Sequence, residues 1–219
     1  MPIKRFLRFR NLSGLDGAHS GASERLRAER FLCYEYNDMK TKTETMLKIA
    51  KLGNPILRKI AAPIDLREIK SSEIQRLIDD MFEAMYDEPG IGLAAPQVSR
   101  SIQLVVMGCK GEGGFPETVL INPSIVYYGP EQVESWEGCL SVDGLRGKVT
   151  RPSLVRVKGL DRKGNSLDFE ATELYAVCIQ HELDHLIGKV FLDRMTDMST
   201  LTQLHEFSQY WQKEPTNVI

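Results

Sequence analysis

Apolar residues at Ile74, Leu77, Ile78, Met81, Phe82 and Met85 recur every three or four positions, which predicts one amphipathic helix beginning near residue 72. Ser72-Glu-Ile-Gln75 has the form of a capping box at its start, and Pro89-Gly90 stops it. The period then shortens. Residues 102–107, 118–121 and 125–128 are short apolar runs punctuated by Gly and Pro and read as strands. Residues 154–160 and 166–169 flank Asp161-Arg-Lys-Gly-Asn165, a hairpin signal with Gly164 free to take positive φ. Helical spacing returns over residues 173–187, with Thr172 at the N-cap position and Gly188 as the stop. At roughly 100° per residue, Leu174, Val177, Cys178, His181, Glu182 and His185 fall within an arc of about 140°. A last amphipathic segment, 199–211, predicts a C-terminal helix. Strands gathered between an early helix and a late one predict an α+β fold, with antiparallel sheets packed around a central helix at 173–187.

Composition changes this picture only at its ends. The chain has 219 residues, 42% of them hydrophobic and 26% charged, enough for one domain with a sizeable core. A formal net charge of -2 gives no support for a nucleic-acid surface, and no apolar run approaches the roughly 20 residues needed to span a bilayer. Four cysteines without close pairing do not make a disulfide framework and suit a reducing compartment. Residues 1–45 differ: Lys4, Arg5, Arg8, Arg10, Arg25, Arg27 and Arg30 are set among Ser and Gly with little apolar periodicity. They read as a poorly ordered extension of a bacterial, cytoplasmic protein, Met39 and Met46 offering later starts. The alternative is a mitochondrial or plastid transit peptide, against which Asp16, Glu24 and Glu29 count. The expected organisation is therefore an extension at 1–45, a catalytic region at 46–196, and a C-terminal helix and tail at 197–219.

The buried stripe of the late helix carries the chemistry. In His181-Glu-Leu-Asp-His185 two imidazoles four residues apart point the same way and can close on one metal ion, with Glu182 within reach of water beside it. A bare match to this pattern arises by chance in polar helices, so the third ligand decides. Where one large group of such enzymes has a third His six residues on, this chain has Phe191. Glu206, His19, His205, Cys33, Cys109, Cys139 and Cys178 remain as candidates. Cys139 stands out within Trp136-Glu-Gly-Cys-Leu-Ser141, although a lone strand cysteine is ordinarily a small core residue. A third segment, Gly90-Ile-Gly-Leu-Ala-Ala-Pro-Gln97, combines small residues that permit close backbone approach with the amide donor of Gln97.

These three segments in this order resemble the signature motifs of the peptide deformylases, and the resemblance runs from about Leu47 to Met195, including Gly53-Asn-Pro-Ile-Leu-Arg58. It implies that Cys139, His181 and His185 hold one divalent metal, ferrous iron in first place, with zinc, nickel or cobalt as substitutes. It also implies a hydrolase that removes the formyl group from formylmethionyl nascent peptides near the ribosome exit, releasing formate. Glu182 would move the proton; the Gln97 amide and the Leu140 N–H would hold the oxyanion. The substrate chain would lie along Ile91 and Gly92 as an added strand, its methionine near Leu174, Val177 and Cys178, with Arg146 meeting its main chain. Glu137 and Arg151 would pair behind the Cys139 strand. Asp143, where many relatives have Pro, puts the loop through Arg146 in doubt. The acidic Asp193, Asp197, Glu206 and Glu214 argue against ribosome docking through a basic C-terminal helix. Two rival readings are a zinc peptidase using Glu206 as third ligand, and a non-catalytic, metal-stabilised peptide-binding module.

Overall fold

The computed structural model describes residues 47–111 and 113–212, which belong to one compact unit spanning 45–219. The extension at 1–45, with His19 and Cys33, lies outside the described residues, as does the tail with Lys213 and Glu214.

Helix α1 (Ser72–Asp87) buries Ile74, Leu77, Ile78, Met81, Ala84 and Met85, the face that the spacing predicts. Its cap is one residue earlier than the capping-box pattern places it. Ser71 accepts from the Ile74 N–H at 3.3 Å, while Gln75 donates to the carbonyls of Ile69 and Arg162, each at 2.8 Å. Ser71 wins because its backbone is extended (φ -65°, ψ 149°), as an N-cap requires. Strands β1 (Gly92–Ala94), β2 (Leu104–Cys109) and β3 (Phe115–Tyr128) come next, then β4 (Gln132–Cys139), β5 (Val142–Pro152), β6 (Leu154–Leu160) and β7 (Ser166–Thr172). The five strands β1-β2-β3-β6-β7 form one antiparallel sheet in that order. A second antiparallel sheet joins β4 and β5 to a two-residue strand, β8 (Thr202–Gln203).

Strands β1 and β2 of the larger sheet are buried on both faces. Along β2, Leu104 and Val106 pack with the α1 side chains, whereas Val105 and Met107 pack with Ala176, Cys178 and Ile179 of helix α2 (Glu173–Leu186). Alternation along one strand thus serves two helices at once. Helix α2 contacts strands of both sheets and buries every residue from Ala176 to Glu182. Thr172 holds its N-cap position without a side-chain bond, and Gly188 ends it at φ +74°, where a Cβ would stand 2.7 Å from the Arg58 backbone.

Three sequence expectations need correction. The runs at 118–121 and 125–128 are one strand whose register shifts between Ile121 and Ser124. Pro123 has no N–H to give the ladder, and Asn122 (φ +49°) clasps the Ile64 N–H and C=O instead, each at 2.8 Å. The strand expected at 102–107 begins at Leu104 as β2, Ile102 forming only a single parallel bridge with Ala62. The segment at 199–211 is not one helix. Met198–Thr200 make a 3-10 turn, Thr202 and Gln203 pair with Arg146 and Leu145, and only Leu204–Tyr210 (α3) is α-helical, anchored by buried Phe207 edge-on to Trp136 with ring centroids 5.0 Å apart. No described helix is long and apolar enough to cross a membrane.

Candidate active site

The loop with Gly92 and Gln97 becomes β1 and a 3-10 turn, Ala95–Val98. β1 is an edge strand of its sheet. A Cβ on Gly92 would stand 2.8 Å from both Cγ and Cδ of Glu182, so glycine here is what lets the strand pass the carboxylate. Gln97 is buried. Its side-chain Oε1 accepts the Ala94 N–H at 2.7 Å, and Nε2 donates toward Ser141 Oγ at 3.3 Å and Cys139 Sγ at 3.5 Å.

The segment before the first turn fastens this loop to the β4–β5 connection. Ala50 N–H donates to the Gln97 carbonyl and Leu52 N–H to the Ser141 carbonyl, both at 2.7 Å, while Lys51 Nζ reaches the Leu140 carbonyl at 2.9 Å and Asp143 at 2.7 Å. Asp143 thus has a partner of its own, and the segment through Arg146, expected as a loop, is the start of β5, held by a pairing that proline could not make.

Cys139, His181 and His185 come together in the buried interior, their ligand atoms within 4.8 Å of one another, and Cys139 Sγ lies 3.4 Å from His185 Nε2. His181 Nδ1 is 2.8 Å from Glu137 Oε2. An ionised carboxylate only accepts, so Nδ1 carries the proton and Nε2 keeps its lone pair for a metal. Two imidazoles and one thiolate in a water-poor site, with one ring oriented from behind, fit a single divalent cation with a position left open. The rival ligands are elsewhere: Glu206 pairs with exposed His205 at 2.8 Å, Cys109 is half-buried on β2, and Cys178 lies in the core.

Behind the ligands runs a buried ionic chain. Arg151 donates to Glu137 at 2.5 and 3.0 Å and to Asp184 at 2.9 Å, and Arg194 closes on the same Asp184. Burial raises the Glu137 carboxyl, but bonds from His181 and Arg151 outweigh it and hold the group down at about 2. Burial lowers His185 well below the usual imidazole range, whereas at His181 the bonds to Cys139 and Glu137 override burial and favour a second ring proton, which a metal binding at Nε2 would displace. Sequence reasoning misses Asp184. Its only signal is a second acid three residues after His181 on a helix otherwise buried at that turn.

Glu182 is 2% exposed, Oε2 has no hydrogen-bond partner, and burial pushes the carboxyl up to about 7. It faces a cleft of about 230 Å³ together with Gln97, Cys139, Leu140, His181, Ile91 and Gly92. Arg146 lines this cleft as well, lying over Gly138 with its Nε buried and unpartnered while Nη1 donates to the Leu145 carbonyl at 2.9 Å. Leu204 of α3 reaches the same cleft, a placement no sequence pattern announces. Leu174 and Val177 line a separate hollow of about 350 Å³ with Val133, Ser135, Ser153 and Glu173. Cys178 sits behind Ile91, donating to its carbonyl at 3.7 Å, and burial pushes its thiol well up.

Residues 46–200 match the family model described as polypeptide deformylase. Among curated proteins, peptide deformylase 2 of Pseudomonas syringae pv. tomato is 43% identical over 157 residues, 69% of this chain and 88% of that one. Peptide deformylase 1 of Shewanella oneidensis is 47% identical over 153 residues, 70% of this chain and 88% of that one. A crystal structure of a class I type b peptide deformylase from Acinetobacter baumannii with Met-Ala-Ser bound matches with a TM-score of 0.66 and 34% identity, covering 69% of this chain and 99% of that one. The one from Thermotoga maritima gives 0.63 at 34% identity, covering 70% and 100%. The motifs, the gathered donor set and the shared architecture lead to one assignment: the chain belongs to the polypeptide deformylase family.

Proposed function

We propose that this chain hydrolyses the formamide of N-formylmethionyl polypeptides, with Cys139, His181 and His185 holding one divalent metal, Fe2+ first and Zn2+, Ni2+ or Co2+ as substitutes. The observation that carries this reading is Glu182 Oε2, buried without a partner in the cleft that Cys139 and His181 also line, beside a cysteine and two imidazoles whose ligand atoms lie within 4.8 Å of one another. A divalent ion held by these three residues would supply an acidified water and a Lewis acid for the carbonyl. Glu182 takes the proton from the attacking water and delivers it to the departing amine, so that one water and one formamide become formate and a free amino terminus. Such a group contributes roughly 10²–10⁴-fold. The Gln97 amide, held by its bond from Ala94, and the N–H of Leu140, a residue whose carbonyl Lys51 holds, receive the developing oxyanion. The substrate main chain runs beside Ile91 and Gly92, where the edge of β1 accepts an added strand, and Arg146 meets its carbonyls. Its methionine side chain enters between Leu174 and Val177, with Cys178 behind.

We place the protein in a bacterial cytoplasm, acting on nascent chains near the ribosome exit; the bacterial relatives and the thiolate ligand support this. The test is to incubate anaerobically purified protein with formyl-Met-Ala-Ser and its unformylated counterpart, measuring formate, peptide fragments and bound metal. Formate with an intact tripeptide is expected. Internal cleavage of the unformylated peptide would indicate a peptidase, and binding without turnover a recognition module.

A further inference from the structure

The strap at residues 50–52 touches the ligand set through one peptide group. Its backbone gives the Ala50 N–H to the Gln97 carbonyl and the Leu52 N–H to the Ser141 carbonyl, each at 2.7 Å. Between these two bonds the Lys51 ammonium reaches the Leu140 carbonyl at 2.9 Å. That carbonyl belongs to the peptide joining Leu140 to Ser141, and the other polar end of the same peptide, the Ser141 N–H, donates to Cys139 Sγ at 3.4 Å in the buried interior. One peptide unit thus stands between a cation and a candidate ligand sulfur, its carbonyl toward the first and its N–H toward the second. In this orientation the cation strengthens the bond to sulfur, because hydrogen bonds in a chain polarise one another where the dielectric is low. The second donor at the sulfur, Gln97 Nε2 at 3.5 Å, is neutral and is shared with Ser141 Oγ at 3.3 Å. Asp143, 2.7 Å from Lys51 Nζ, takes another of the three ammonium donors and holds the side chain in place. With Lys51 46% and Asp143 66% exposed, that ion pair adds little stability; its part is orientation.

We propose that Lys51 is a positioning residue for the Cys139 thiolate: through the Leu140–Ser141 peptide it strengthens the N–H bond to the sulfur, draws electron density from it, and so leaves a metal bound there a stronger Lewis acid. The proposal rests on the deformylase reading, in which Cys139 is a ligand. Hydrogen bonds around a ligating cysteine sulfur tune what that sulfur donates, and groups that act on a ligand from behind are worth about 10- to 100-fold in metal affinity or activity. Lys51 is half-exposed and its charge is offset in part by Asp143, which puts the expected effect at the low end, about tenfold. The residue lies eighty-nine positions before Leu140, outside all three motifs, and its contact with the site is made by tertiary packing.

The experiment compares the parent with Lys51→Met and Lys51→Arg, each loaded with Co2+ so that the sulfur-to-cobalt charge-transfer band can be read in the near ultraviolet. Methionine keeps much of the side chain's length and removes its charge, while the backbone bonds of Ala50 and Leu52 hold the strap in place; arginine restores a cationic donor. In Lys51→Met we expect full cobalt content and a band moved to longer wavelength, because sulfur electrons no longer drawn toward the peptide are held less tightly. The kcat for formyl-Met-Ala-Ser is expected to fall about tenfold with KM unchanged within about twofold. Lys51→Arg is expected to return band and rate toward the parent. A band that stays in place in Lys51→Met overturns the proposal even if the rate falls, since Lys51 is then only a mechanical fastening. Should Lys51→Met not fold, Lys51→Gln, which keeps a neutral donor and loses the charge, is read for the same shift. No formate from the parent would overturn the deformylase reading, while the band, which needs no turnover, still decides the role of Lys51. A parent without any such band would remove Cys139 from the ligand set and overturn the proposal with it.

Discussion

Gly92→Ala isolates one contact. The backbone at this position lies in a regular strand paired with Met107, so alanine costs nothing in conformation, and the three atoms nearest the added methyl all belong to Glu182. The Cβ would stand 2.8 Å from Cγ and Cδ, against the roughly 3.5–4.0 Å at which carbon atoms attract. The carboxylate must therefore retreat by about 1 Å. Because Glu182 is 2% exposed and walled by its own buried helix, the retreat strains neighbours, an overpacking cost of about 1–3 kcal/mol. A misplacement of about 1 Å in a catalytic group is worth about 10²-fold in rate. Single-turnover formate release from Gly92→Ala should thus fall about 10²-fold with metal content unchanged, and the midpoint of denaturant unfolding should drop. The destabilisation should vanish when Glu182 is first shortened to Ala, since the two changes then no longer share a contact. A parent-like rate with metal bound would refute the reasoning, because it would mean that the proton-transfer group tolerates displacement or is not Glu182.

Cys139→Ala, His181→Ala and His185→Ala should each lose bound metal on elemental analysis; full retention in Cys139→Ala would remove the thiolate from the ligand set. Glu182→Gln should keep metal and fold while formate release falls about 10²-fold or more, and a near-parent rate would sink the proton role. Arg151→Met leaves Glu137 and Asp184 buried without their shared cation. The expected loss is about 3–5 kcal/mol, read by calorimetry as a Tm lower by roughly 6–20 °C, and a shift under 2 °C would contradict the ionic chain as a stabilising element.

Features governed by local rules were legible in the sequence. The stripe Leu174 to His185 reports the helix that both sheets contact, and Gly188 its end, because each depends on residues a few positions away. The α1 cap came out one residue late since Ser71 and Ser72 present the same side chain, and only the backbone, extended at Ser71, chooses. The C-terminal segment reads as a helix by its own periodicity, but the ladder with Leu145 and Arg146 captures Thr202 and Gln203, a choice made by residues over fifty positions away. Cys139 could be singled out as third ligand only by resemblance, because nothing within its own strand distinguishes it from a core cysteine. The placements of Lys51, Asp184 and Leu204 are tertiary juxtapositions without a local pattern.

The gathering of Cys139 with His185 has a topological side. Forty-six positions separate the two residues, and β5, β6 and β7 all lie between them. An ion held by both is then a cross-link that closes this long loop, as a disulfide would in a secreted protein. By the loop-entropy relation for covalent cross-links, a closure of this length is worth about 4 kcal/mol against the unfolded chain. A chelator would act on this protein as a reductant acts on a disulfide-stapled domain, loosening three strands of sheet in the act of extinguishing the chemistry.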